Sequence, residues 1–276
     1  GGDSPPGFLY TPGNAGGLVD LGSFGGQATL PAALNASGHV VGTSVTADGI
    51  AQAFVYRNGR MQRLGLSGET SAQAVDINDR GGVFVDYTDT NSVSRAALFH
   101  PAVAPTLLDV RGRAFAPYGG INNQGQAFGR WFTPGATDSR TYLHDKGQAT
   151  DIGTLGGALT VGTDMNDSGQ IVGFSEIGGP GAPYTGLARP FLYSDGKMSQ
   201  IGKFDNDAVA VDINDRGQVL VQYTPNQFDS EAWLYSEGQL SRVRDLGGEG
   251  LVRIASLQLN ELGQVVGRSS LPGSPP

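Results

Sequence analysis

Three aspartates, Asp76, Asp164 and Asp212, each stand two residues ahead of an asparagine and five ahead of a glycine, as in Asp164-Met165-Asn166-Asp167-Ser168-Gly169. Carboxylates placed alike in a recurring pattern offer two chemistries. If the segments line a common channel, the three form part of an acidic ring near one mouth. Such a ring attracts cations or a polar ligand, and mutual repulsion raises the pKa of some members. Two carboxylates with separated pKa values would then suit a hydrolase or lyase. The opposing reading is that each carboxylate accepts backbone N–H bonds at a strand end and does no chemistry. The same turns hold Asp79, Asp167 and Asp215 near a glycine, which resembles a calcium loop. The bidentate Glu is missing, and Arg80 and Arg216 oppose a cation, so no metal is expected. The Asn recurs where the carboxylates do not, which fits an Asx-type turn.

Aromatic residues give a third possibility. Trp131, Phe132, Tyr184, Tyr223 and Phe228 read as loop residues beside Asp138, Glu176, Asn226 and Asp229. Rings with polar edges suit sugars and protein hot spots. Tyr184 falls in a Gly/Pro-rich insertion, 175–188. Arg95, Arg140 and Arg189 open equivalent strands and either bind an anion or pair with nearby Asp residues. His39, His100 and His144 lie in three different repeats without metal-type spacing. There is no Gly-x-Ser-x-Gly elbow and no Walker loop. Zero cysteines exclude disulfides and thiolate chemistry. No cofactor is implied.

The elements that position these residues are repeats. An apolar residue, Asn, two variable residues and Gly recur with the asparagines at 35, 78, 122, 166, 214 and 260, spaced 43, 44, 44, 48 and 46. A period in the forties marks a repeat array. Each repeat carries four short runs rich in Val, Ile, Phe and Tyr, bounded by Gly, Asn and Asp. Strand A ends at the Asn, B follows the Gly, C carries an aromatic, and D precedes Leu-Gly or similar. Asn58-Gly59 and Asp195-Gly196 predict two-residue hairpins between C and D. The A–B and C–D links read as tight, the B–C and D–A links as longer and variable.

Four antiparallel strands per repeat predict the blade of a β-propeller. The chain opens on a C and a D strand and closes on an A and a B strand, so six blades are expected in an all-β fold. If strand A is innermost, the N- and C-terminal segments pair into the sixth blade and latch the ring. If strand C is innermost, all blades are contiguous. The latch is favoured because it offsets the closure cost of a long chain. One domain, 7–268, is expected between Gly-, Ser- and Pro-rich linker stubs at 1–6 and 269–276, cut from a larger protein.

The repeat resembles the HAF repeats of bacterial extracellular repeat proteins. The resemblance covers nearly the whole chain. It is carried best by Leu155-Gly156-Gly157, Met165 to Gly173 and Arg189-Pro190-Phe191-Leu192-Tyr193. Gln52, Arg95, Arg140, Arg189 and Glu231 stand where the namesake His would be. The resemblance implies secretion or surface display. It brings no catalytic residues.

Net charge is −8, which disfavours nucleic acid. No uninterrupted apolar run exceeds four residues, so no membrane insertion by a helix is expected. The leading expectation is an extracellular or surface binding module, monomeric, with a glycan or protein ligand held by loops on one face. Its candidate residues are the five aromatics with Asp76, Asp164 and Asp212. Two alternatives stand beside it: a hydrolase or lyase at the acidic channel, and a structural spacer.

Overall fold

The computed structural model describes residues 7–12, 17–108, 114–132, 138–178, 187–226, 229–243 and 253–270. Among them there is no helix, and hence none long and apolar enough to cross a membrane. The chain forms two compact units. The first comprises 1–129 and 144–149, the second 130–143 and 150–276.

In the first unit, β1 (Phe8–Tyr10) and β2 (Leu18–Asp20) pair as a hairpin. A four-stranded antiparallel sheet follows: β3 (Gly25–Leu34), β4 (Val40–Thr46), β5 (Ala51–Arg57) and β6 (Arg60–Arg63). The next repeat builds a second such sheet from β7 (Glu69–Ile77), β8 (Val83–Asp89), β9 (Ser94–Phe99) and β10 (Thr106–Leu108). The third repeat falls on the division between the units. Its strands are β11 (Ala114–Ile121), β12 (Ala127–Phe132), β13 (Ser139–Asp145) and β14 (Gln148–Asp151). The second unit continues with β15 (Gly156–Met165), β16 (Ile171–Ile177), β17 (Ala188–Ser194) and β18 (Lys197–Gln200). Then come β19 (Ala208–Ile213), β20 (Val219–Tyr223), β21 (Glu231–Ser236) and β22 (Gln239–Val243). It ends on the two-stranded pair β23 (Arg253–Leu259) and β24 (Val265–Ser270).

The turn chemistry explains the order. Asn58 and Gly59 both have positive φ, 53° and 72°, as do Asp195 and Gly196 at 54° and 76°. This is the two-residue hairpin that matches strand twist. Each Asn turn between an A and a B strand ends on a left-handed glycine, for example Gly169 at φ 74°. The hydrophobic core lies between successive sheets of a unit. Val41 and Val55 of one sheet bury against Ala72, Ala74, Val83 and Val85 of the next. In the second unit Val172 packs with Ile201, Ala208, Ile213, Val219 and Val221. The alternation of strand residues supplies both faces of these layers.

Two expectations are corrected by the links. The tight face is less uniform than predicted, because the connection from β9 to β10 spans 100–105. Trp131, Phe132 and Tyr223 are not loop residues. They end β12 and β20, since the apolar alternation of those strands runs on through them.

Candidate functional site

The recurring polar residues are engaged between repeats. In the second unit Asn166 Nδ2 donates to the Asn214 carbonyl at 3.0 Å, and Asn214 Nδ2 to the Asn260 carbonyl at 3.0 Å. In the first, Asn35 donates to the Asn78 carbonyl at 3.0 Å and Asn78 to that of Asn122 at 2.8 Å. Each Asn also closes its own turn: Asn166 Oδ1 accepts from the Ser168 and Gln170 amides at 3.1 and 3.0 Å. The predicted Asx turn is therefore present, and it doubles as a clasp on the next repeat.

A second row runs beside the first. The Ala36 amide donates to Asp79, and the Asp167 amide to Asp215, at 2.8 and 2.7 Å. The Asp215 amide donates to Glu261 at 3.0 Å. Two of the carboxylates that resemble calcium ligands, Asp79 and Asp215, thus accept backbone hydrogen bonds from the preceding repeat. Among the described residues no cluster of three or more metal-type ligands forms.

The third row contains the candidate acidic ring. Asp76 Oδ2 accepts from the Ile121 amide at 2.9 Å, Asp164 from Ile213 at 2.9 Å, and Asp212 from Leu259 at 2.6 Å. Strand register shifts immediately before each aspartate, between Ala74 and Asp76, Gly162 and Asp164, and Ala210 and Asp212. A bulge re-aims the side chain that follows it. Here it lets each carboxylate reach the neighbouring A strand. In the third repeat glycine stands at the position of the aspartates. A Cβ at Gly120 would lie 3.1 Å from Asp76 Oδ2, so a larger residue there would crowd this bond.

These carboxylates are not ordinary acids. Burial pushes the Asp76 pKa upward against the opposing pull of two amides. Asp164 is pushed up to about 7, first by burial, then by its hydrogen bond to Asp212 and that residue's charge. The Asp164 and Asp212 side chains therefore lie together within the second unit.

The aromatics are dispersed. Trp131 is buried, and Phe132 is 36% exposed. The Tyr223 ring lies 4.9 Å from Phe204, against the core of the second unit. Tyr184 and Phe228 lie outside the described residues. Glu176 is buried in β16, and Asn226 bonds Asp229 at 2.6 Å. Of the arginines, Arg95 forms an ion pair with Asp89 at 3.1 Å. Arg189 instead donates to the carbonyls of Ala188 and Asn206, at 3.0 and 2.9 Å.

One buried acid escaped the sequence reading. Asp86, in β8, is buried opposite Gln73 and Ala96. Burial pushes its pKa up to about 7, with a weaker opposing pull from the Gln73 amide. Neither carboxylate oxygen has a well-formed hydrogen bond among the described residues. The signal was present in Val83-Phe84-Val85-Asp86, where a charge interrupts an inward-facing run.

No family model matches the chain, and no curated protein matches it. Solved structures do. A prolyl endopeptidase superposes with a TM-score of 0.61 at 12% identity, over 95% of this chain and 46% of the other. The acylaminoacyl peptidase of Pyrococcus horikoshii gives 0.56 at 11%, over 87% and 42%. TolB from Agrobacterium tumefaciens gives 0.50 at 11%, over 78% and 75%. The fold is β-propeller-like. The chain spans less than half the length of these two peptidases. Identities this low speak to the fold alone.

Proposed function

We propose that the chain is a six-bladed propeller, closed by its terminal hairpins, that serves as an extracellular binding module for a glycan or protein ligand. The observation that carries this reading is the set of three hydrogen-bonded rows. The polar residues common to the repeats hold one repeat to the next, so recognition falls to residues that differ between repeats. Phe132 is one, a ring offered to solvent at the end of a strand. Closure is supported by apolar side chains left open at both ends: Phe8, Tyr10 and Leu18 on the first hairpin, Val266 on the last. Pairing the two hairpins covers them and removes two open sheet edges.

A second reading, a hydrolase or lyase, is favoured by one observation, the contact of Asp164 with Asp212. Both carboxylates hold backbone amides in place, which ties them to structure first.

A glycan array probed with the labelled chain separates the readings. Retention without turnover is expected, reduced about tenfold by Phe132→Ala at an unchanged melting temperature. Retention that survives this substitution removes Phe132 from the site. An empty array moves the ligand to the protein class. Products released from a captured oligosaccharide, and lost in Asp212→Asn, would replace binding by catalysis.

A further inference from the structure

The groove between the first two Asn turns is built unlike its counterparts in the second unit. It lies on the face of the tight turns, wholly within the first unit, and holds about 460 Å³. In the second unit the residue four places after the turn Asn is Gln. Gln170 and Gln218 bond their own Asn at 2.8 and 2.9 Å. Each also lies over the next turn's glycine: a Cβ at Gly217 would sit 3.3 Å from Gln170 Oε1, and one at Gly263 2.9 Å from Gln218 Oε1. The space between consecutive turns is filled there. In the first repeat the position is His39, which lines the groove instead. The atom nearest a Cβ at Gly81 belongs to Pro101, at 3.2 Å.

The charge of this groove differs as well. Arg57 and Arg80 both line it. The residues matching Arg57 in later repeats are His100, Asp145, Ser194 and Ser236, and those matching Arg80 in the turns that follow them are Gln124, Ser168, Arg216 and Leu262. No later pair of neighbouring repeats has arginine at both of these positions. Among the described residues neither arginine forms an ion pair. Arg57 Nε donates to Gln62 Oε1 at 3.1 Å, which orients the rest of its fork. Asp79 is the lining carboxylate, and its oxygens are held by the Ala36 amide and by Asn123 Nδ2, at 2.8 and 3.3 Å.

We propose that this groove binds an acidic sugar unit. Its carboxylate is held by the planar forks of Arg57 and Arg80, the geometry guanidinium groups favour. Asn58 and Gln62 supply neutral partners for the hydroxyls, which a bare anion would not use, and His39 adds its ring nitrogens. The volume falls within the range of small-molecule sites. The site is independent of Phe132 and of the loop face.

Calorimetric titration of the chain with glucuronate, glucose and inorganic phosphate at physiological salt tests the proposal. Saturable glucuronate binding is expected, with no saturable binding of glucose and weaker binding of phosphate. The double variant Arg57→Gln/Arg80→Gln should lose roughly tenfold or more in affinity at an unchanged melting curve. If the double variant melts differently, Arg80→Gln decides, because Arg80 is exposed. Phe132→Ala should bind glucuronate as the parent does, which keeps this result separate from the loop-face test. No saturable glucuronate binding, equal binding of glucose, phosphate binding as tight as glucuronate, or an unaffected arginine variant would each overturn the assignment.

Discussion

Asn166→Ala is expected to lower the unfolding free energy by about 3 kcal/mol. Asn166 is 4% exposed. Its amide closes the turn onto Ser168 and Gln170 and clasps the Asn214 carbonyl. Alanine leaves two turn amides and one carbonyl of the next repeat without this partner. A turn hydrogen bond alone is worth about 1 kcal/mol, and the buried groups left behind add the remainder. Equilibrium denaturation with urea measures the difference. A loss of about 1 kcal/mol would mean that the bond to the next repeat contributes nothing.

The second large effect is a pH dependence. Asp86 and Asp164 each keep a proton to about pH 7 in the folded chain, against an ordinary value of 3.8. The folded state therefore binds more protons than the unfolded state between these limits. The stability this gives is complete below about pH 4 and is lost as pH rises to about 7. Asp86→Asn mimics the protonated acid at every pH. It should match the parent near pH 4 and exceed it by about 3 kcal/mol at pH 8. His144 works in the opposite sense, because burial lowers its pKa and favours the folded state at higher pH. The comparison of parent and variant cancels that contribution. Parallel stability curves from pH 4 to 8 would show that Asp86 ionises freely in the fold.

The blade pattern was legible because turn chemistry is local. Asn-x-x-Gly and Asn-Gly announce their geometry through residues that tolerate positive φ, and each is present where the sequence placed it. What the sequence could not show was the partner of each polar group. Asp76, Asp164 and Asp212 look alike in sequence whether they line a channel or hold an amide. The bulge that decides between these roles arises from pairing with a B strand, not from the aspartate's neighbours. Trp131 and Tyr223 were read into loops because the turn residues after them are polar. Strand alternation carries both rings to the ends of β12 and β20 instead. The groove at Arg57 and Arg80 was hidden for a related reason. It joins residues from different repeats, and its distinguishing mark is arginine at both Arg57 and Arg80, a combination that no later pair of neighbouring repeats carries at those places.

The central proposal is that the repeated Asn, which joins repeat to repeat within each unit, continues that row around a closed ring. Asn260 tests it most directly. Its side chain makes the same bonds within its turn, to the Leu262 and Gln264 amides at 3.0 and 2.9 Å and to Gln264 Oε1 at 2.8 Å. In the closed ring of six proposed above, its side-chain amide would meet the carbonyl of Asn35 and complete the row. Denaturation of Asn260→Ala beside Asn166→Ala should then show equal losses, about 3 kcal/mol each. A loss of about 1 kcal/mol for Asn260→Ala, with the full loss for Asn166→Ala, would contradict closure.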